Sequence, residues 1–209
     1  MNLPNKLTLF RIILVPIMVI IPFLGIEKDI LGIPLTYLII DIIFIIASVT
    51  DKLDGYLARK NNQVTTFGKF LDPLADKILV LAAMIMLVEM EKLPAWIPII
   101  VLAREFVVSG YRLVAVEKGG KVIAASKWGK LKTVTQMFAI ILAFLDLHAF
   151  GDCFTGELQG GDFVLNLIVT VMMIIQVIAT IFSGIDYLKG SKELLIKNWN
   201  LLDKFQFLP

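Results

Sequence analysis

Cysteine and histidine are almost missing from this chain of 209 residues: Cys153 and His148 are its only examples. A single cysteine excludes a disulfide framework, and a single histidine leaves no cluster for zinc. Any bound metal must therefore take oxygen ligands, which favours magnesium or manganese. Charge is sparse as well. Charged residues make up 18% of the chain against 58% hydrophobic, with a mean hydropathy of +0.84. A soluble domain is closer to half apolar. No linker, repeat or low-complexity stretch divides the sequence, so 1–209 is expected to form one domain, with no nucleic acid among its partners.

What the sequence does have is long apolar runs, at about 12–26, 34–50, 78–90, 93–111, 131–150 and 163–185. Each approaches the roughly 20 residues that a helix needs to cross a bilayer. The basic start at Lys6 and Arg11 followed by an apolar run also matches a signal peptide. No small-residue cleavage site follows it, however, and the run ends in Gly25-Ile26-Glu27-Lys28-Asp29. The expected fold is an all-α integral membrane protein, a bundle of six transmembrane helices.

The placement of charge orients that bundle. Of the 20 lysines and arginines, all but Lys28 and Lys92 fall at the N-terminus, in 51–77, in 104–132 or from Lys189 onward. The alternate loops carry Glu27, Asp29, Glu89, Glu91, Asp146, Asp152, Glu157 and Asp162 instead. Positive charge collects on the cytoplasmic side of membrane proteins. Both termini are thus expected in the cytoplasm of a multi-pass protein of the cell membrane. The tail after Asp186, with Lys189, Lys192, Lys197 and Lys204 among apolar residues, could lie on the anionic inner leaflet or stay solvated.

Four carboxylates stand within the short stretch 51–76. Asp51 and Asp54 are three residues apart and Asp72 and Asp76 four apart, so each pair shares a helix face. The polar 60–66 segment suits a loop, which makes the second and third helices antiparallel neighbours and brings the four acids together at their cytoplasmic ends. Gathered acids repel unless cations neutralise them. One or two divalent ions bridged by shared carboxylates are the natural solution, and such a pair stabilises charge on a phosphoryl or pyrophosphate group during displacement. The plainer alternative, surface acids paired with Lys52, Arg59, Lys69 and Lys77, leaves Gly55, Ala58 and Gly68 unexplained.

Asp51-x2-Asp54-Gly55-x2-Ala58-Arg59-x8-Gly68-x3-Asp72-x3-Asp76 resembles the signature of the CDP-alcohol phosphotransferases. The resemblance implies a six-helix membrane enzyme. Asp51, Asp54, Asp72 and Asp76 would then ligate two Mg²⁺ or Mn²⁺ ions. Asp76 would be the general base that deprotonates an acceptor hydroxyl for attack on the β-phosphorus of a CDP-linked lipid, with CMP leaving. Gly55 and Ala58 would let the cytidine nucleotide lie against the second helix, Arg59 would contact its phosphates, and Gly68 would allow close approach. A carboxylate held between two metals is a poor base, so Asp76 must be the least tightly ligated.

The basic residues between 104 and 132 suggest the second substrate. Arg104, Arg112, Lys130 and Lys132 lie near the cytoplasmic ends of the fourth and fifth spans, and arginine and lysine bind phosphate by charge and forked geometry. The flanking Gly110 and Gly129 suggest that they pack inward, whereas Lys118, Lys121 and Lys127 read as anchors at the lipid headgroups. Arg104-Glu105-Phe106-x2-Ser109-Gly110-x-Arg112, Gly129-Lys130-x-Lys132-Thr133-x2-Gln136 and Asn5-x2-Thr8-x2-Arg11 are similar to one branch of the same family, the bacterial phosphatidylglycerophosphate synthases. That likeness implies CDP-diacylglycerol as donor and glycerol 3-phosphate as acceptor. Asn5 and Thr8 would sit on the CDP-lipid side of the cleft mouth; Arg11 would join them or anchor at headgroups.

Serine or inositol phosphate as acceptor, a membrane prenyltransferase and a cation transporter are the competing readings. Serine needs no cationic pocket, although inositol phosphate does. A prenyltransferase calls for a second, distant Asp-rich motif, and a transporter for acids midway along several spans. Asp41, alone among isoleucines, is about ten residues and so roughly 15 Å of helix from Asp51. It is expected to make a buried hydrogen bond or a contact in a homodimer. Membrane lipids are the remaining expected partner.

Overall fold

Six α-helices account for most of the described residues: Leu3–Ile20 (α1), Leu35–Lys60 (α2), Thr66–Glu89 (α3), Trp96–Glu117 (α4), Lys127–Leu145 (α5) and Gly160–Gly190 (α6). The structure is a computed structural model that describes the backbone of residues 3–60, 66–117 and 127–190. Side chains are described for 6–51, 71–72, 74–111 and 128–189. The basic tail beyond Gly190 falls outside the described residues. Helix is the form an apolar chain takes in lipid, where no water can satisfy an open backbone group. Among the described residues, three stretches are long and apolar enough to cross a membrane: Lys6–Leu24, Trp128–Leu145 and Gly160–Lys189. The other three helices carry charges as well: Asp41 and Asp51 on α2, Asp72, Asp76 and Lys77 on α3, Arg104 and Glu105 on α4.

Helix α6 buries polar side chains and exposes apolar ones. Asn166, Thr170, Gln176, Thr180 and Ser183 are buried along α6, while Val171, Ile174, Ile178, Ile181 and Phe182 of the same helix are exposed. Apolar side chains facing outward and polar ones facing inward are what a lipid surround selects, because interhelical hydrogen bonds find no competing water. The interior is filled by Met18, Ile40, Phe44, Leu79, Met84, Leu87, Ile97, Ile140, Phe144 and Met173. Within it α1 packs on α2 and α3, α5 lies along α6, and α4 and α2 close against α6 and α5 respectively. This arrangement sets the start of α1 beside the acidic ends of α2 and α3.

Several local expectations are corrected. Residues 21–34 hold a 3₁₀ turn (Ile21–Leu24) and a two-residue hairpin, β1 (Asp29–Ile30) paired with β2 (Ile33–Pro34). Leu31 and Gly32 at its tip both have positive φ, 54° and 81°, the combination that a tight primed hairpin turn demands. Helix α3 begins at Thr66, so Pro73 falls seven residues in and removes one interior hydrogen bond. Helix α5 ends at Leu145, before the polar segment 146–159.

Lys92 is not a loop charge in water. It is buried, and its ammonium donates to the carbonyls of Ala143, Phe144 and Asp146 while lying 4.0 Å over the Tyr37 ring. A cation on the last carbonyls of α5 satisfies acceptors that no helical N–H can reach. Burial lowers its pKa to about 8, with Asp146 opposing the shift. Asn166 completes this plug, donating to Asp146 Oδ2 at 2.8 Å and to Ala149 O at 2.9 Å. Asp41 is also buried inside the chain, and its Oδ1 has no hydrogen-bond partner among the described residues. It therefore offers no surface for the dimer contact expected of it.

Candidate active site

The first turns of α1 join the two acidic helices. Thr8 and Arg11 are three residues apart and so share a helix face. Thr8 Oγ1 donates to Asp72 Oδ1 of α3 at 2.6 Å, and Arg11 NH1 donates to Asp51 Oδ1 of α2 at 2.6 Å. Arg11 is fully buried, whereas the Asp51 side chain keeps 30% of its exposure. Arg11 is thus no headgroup anchor. It fixes one oxygen of Asp51 and leaves the carboxylate partly open to the cleft.

Asp76 shares a cavity lining with Glu105 and Lys132 and also feels the charges of Asp51 and Arg11. Just outside the apolar 78–90 run, its carboxyl is pushed up to about 6, first by burial and next by the Asp51 charge, against the pull of Arg11 and Lys132. A carboxylate kept basic in this way suits proton abstraction near neutral pH.

Among the described residues, no three acidic, histidine or cysteine side chains gather closely enough to hold a metal unaided. The fourth carboxylate, that of Asp54, lies outside the described side chains, though α2 carries it. The donors that are described fit a hard cation: every one is a carboxylate oxygen, and the Asp51 charge that penalises ionised Asp76 is the repulsion a divalent ion would relieve.

Beside Asp76 opens a cavity of about 460 Å³, walled by α3, α4 and α5. Its polar lining includes Asp76, Lys77, Arg104, Glu105, Ser109 and Lys132; Val101, Leu102, Phe106 and Met137 make up part of its apolar side. Glu105 Oε1 accepts from Lys132 Nζ at 2.5 Å and from Arg104 NH1 at 2.8 Å, and Glu105 Oε2 lies 3.6 Å from Lys77 Nζ. Arg104 also donates to Ser183 Oγ of α6 at 2.5 Å, and Lys77 donates to Ser109 Oγ.

The expected acceptor residues divide accordingly. Arg104 and Lys132 line the cavity. Lys130 is exposed and does not, because residues two apart on a helix point to nearly opposite sides. Gly110 has open space where a Cβ would stand, so it marks no tight inward packing. The side chains of Asn5, Asp54, Gly55, Ala58, Arg59, Gly68 and Arg112 lie outside the described ones, although α1 to α4 place each residue on a helix. Lys118 and Lys121 fall outside the described backbone.

Glu105, which a motif contains without a role, and Lys77, weighed only as a partner for surface acids, prove to be part of the cavity. The signal was present for Glu105: an acid next to Arg104 in a basic segment calls for an explanation.

Residues 1–182 match the CDP-alcohol phosphatidyltransferase family. The chain is similar to the CDP-diacylglycerol–glycerol-3-phosphate 3-phosphatidyltransferase of Bacillus subtilis, 44% identical over 208 residues, 96% of this chain and 97% of that one. The protein of the same name from Haemophilus influenzae is 40% identical over 204 residues, covering 96% and 98%. That from Rickettsia typhi is 35% identical over 192 residues, covering 91% and 97%.

Proposed function

The chain belongs to the CDP-alcohol phosphatidyltransferase family, and we propose that it transfers the phosphatidyl group of CDP-diacylglycerol to glycerol 3-phosphate, releasing CMP. The relatives' shared activity supports the reaction. The observation that carries it in this chain is the position of Asp76, which lines one cavity with Arg104, Glu105 and Lys132 and feels the charges of Asp51 and Arg11.

Asp51, Asp54, Asp72 and Asp76 would hold one or two Mg²⁺ or Mn²⁺ ions, which supply neutralisation of the charge building on the pyrophosphate. Thr8 and Arg11 orient Asp72 and Asp51 by the hydrogen bonds that fix one oxygen of each. Gly55, Ala58, Arg59, Gly68 and Asn5 form the nucleotide side. Arg104 and Lys132, with Arg112 further along the helix of Arg104, attract the phosphate of the acceptor. Asp76 takes the proton from the acceptor hydroxyl as its oxygen bonds to the β-phosphorus. The bond from that phosphorus to the bridging oxygen breaks, and CMP leaves with the electron pair.

The chain is a membrane protein. Its six helices serve as six spans in the cell membrane with both termini and the cleft toward the cytoplasm, a reading supported by the one-sided placement of lysine and arginine. It forms one domain and works as a homodimer. For the acceptor, the test is purified protein with CDP-diacylglycerol and Mg²⁺, given glycerol 3-phosphate, serine or inositol phosphate in turn. CMP release is expected with glycerol 3-phosphate. Activity with serine alone would overturn the acceptor assignment.

A further inference from the structure

The cations of the cavity are not free to meet an incoming phosphate independently, because three of them converge on one carboxylate. Lys132 of α5 and Arg104 of α4 share Glu105 Oε1 at 2.5 and 2.8 Å, and Lys77 of α3 stands 3.6 Å from Oε2. Ser183 of α6 and Ser109 of α4 steady Arg104 and Lys77 from behind. The Glu105 side chain retains 17% of its exposure, Arg104 14% and Lys132 9%, while Lys77 keeps 35%.

We propose that Glu105 is the positioning residue of the acceptor half of the site. It gathers Lys77, Arg104 and Lys132 from three helices into one fan, so that the donors it does not occupy face a phosphate dianion in the cavity. The inference rests on the proposed transfer to a phosphate-bearing acceptor.

Two features of the group support this role. Three cations within reach of each other would repel and spread, and the long side chains of lysine and arginine lose much rotamer entropy when fixed. A shared carboxylate meets both costs before the substrate arrives. Three cations against one carboxylate also leave two positive charges, which equals the charge of a phosphate monoester above its second pKa of about 6. A lysine has three N–H donors and an arginine five, so each can hold Glu105 and still bond a phosphate oxygen. Glu105 itself touches no reacting atom. It acts through the three cations.

Initial rates of full-length protein in vesicles, with each substrate varied, test the assignment. Glu105→Gln keeps the shape and loses the charge. It should raise the apparent KM for glycerol 3-phosphate about tenfold, the equivalent of one charge-assisted hydrogen bond, and change the KM for CDP-diacylglycerol less than twofold. Glu105→Asp, which restores the charge, should recover part of that loss. Lys77→Gln removes the most exposed arm of the fan and should raise the same KM about threefold even if the glutamine variant folds poorly. Equal changes in both KM values for both Gln variants, or an unchanged KM for glycerol 3-phosphate, would overturn the assignment. Wild-type protein that releases no CMP with glycerol 3-phosphate would instead contradict the reaction on which it rests.

Discussion

Asp76→Asn should lower kcat by about 10²–10⁴-fold, the usual contribution of a positioned general base, while the KM for glycerol 3-phosphate changes little. Asparagine preserves the size of the side chain but cannot take a proton from the attacking hydroxyl. The raised carboxyl of Asp76, about 6, also sets a direction for pH. As pH falls through that value the base form is lost and activity falls with it. Cations bound by the neighbouring aspartates favour the ionised form, so increasing Mg²⁺ should move the acid limb of the profile to lower pH. Initial rates across pH for wild type and variant check both points. A variant that keeps more than a tenth of the wild-type kcat would mean that another group serves as base.

Arg11→Met should cost stability before it costs chemistry. Arg11 is fully buried and ion-paired, and removing one partner of a buried pair leaves the other uncompensated. Asp51 is partly exposed, so the lower end of the usual range applies, about 3 kcal/mol. For a chain of this length that corresponds to a fall in Tm of about 6–12 °C. The sign of a second effect follows from charge. Without Arg11 the acidic cleft has lost its resident cation, so adding Mg²⁺ should narrow the gap in Tm between variant and wild type. Thermal unfolding in detergent, with and without Mg²⁺, measures both. An unchanged Tm would show that the pair contributes nothing to folding, and a gap that widens with Mg²⁺ would contradict the cation-binding role of Asp51.

Much of the site was legible in the sequence because its chemistry depends on spacing along single helices. Asp51 and Asp54, or Asp72 and Asp76, share a face by their separation alone, and the apolar runs between charged ends mark the helices in outline. What the sequence could not supply is which side chains meet across helices. Nothing in the spacing joins Arg11 to Asp51, forty residues away, or Thr8 to Asp72. Glu105 showed the same limit, since its role comes from Lys77 and Lys132 on two other helices.

Helical periodicity separates two cations of α5. Lys130 and Lys132 cannot both face one cavity, and only Lys132 does. Lys92 misled because a long cationic side chain in a short loop can fold back to cap a neighbouring helix, and hydropathy does not register this. The hairpin at Leu31–Gly32 was hidden by its length, two residues per strand, too short for any alternation to show.

In the proposed reaction the acids around Asp76 and the cations around Glu105 act on opposite ends of the same transfer. Protein stripped of divalent cations, reconstituted with CDP-diacylglycerol and assayed for CMP, tests that arrangement. The account predicts no CMP when either Mg²⁺ or glycerol 3-phosphate is withheld, and equal amounts of CMP and phosphatidylglycerophosphate when both are present. CMP release without a divalent cation, or at the same rate without glycerol 3-phosphate, would contradict it.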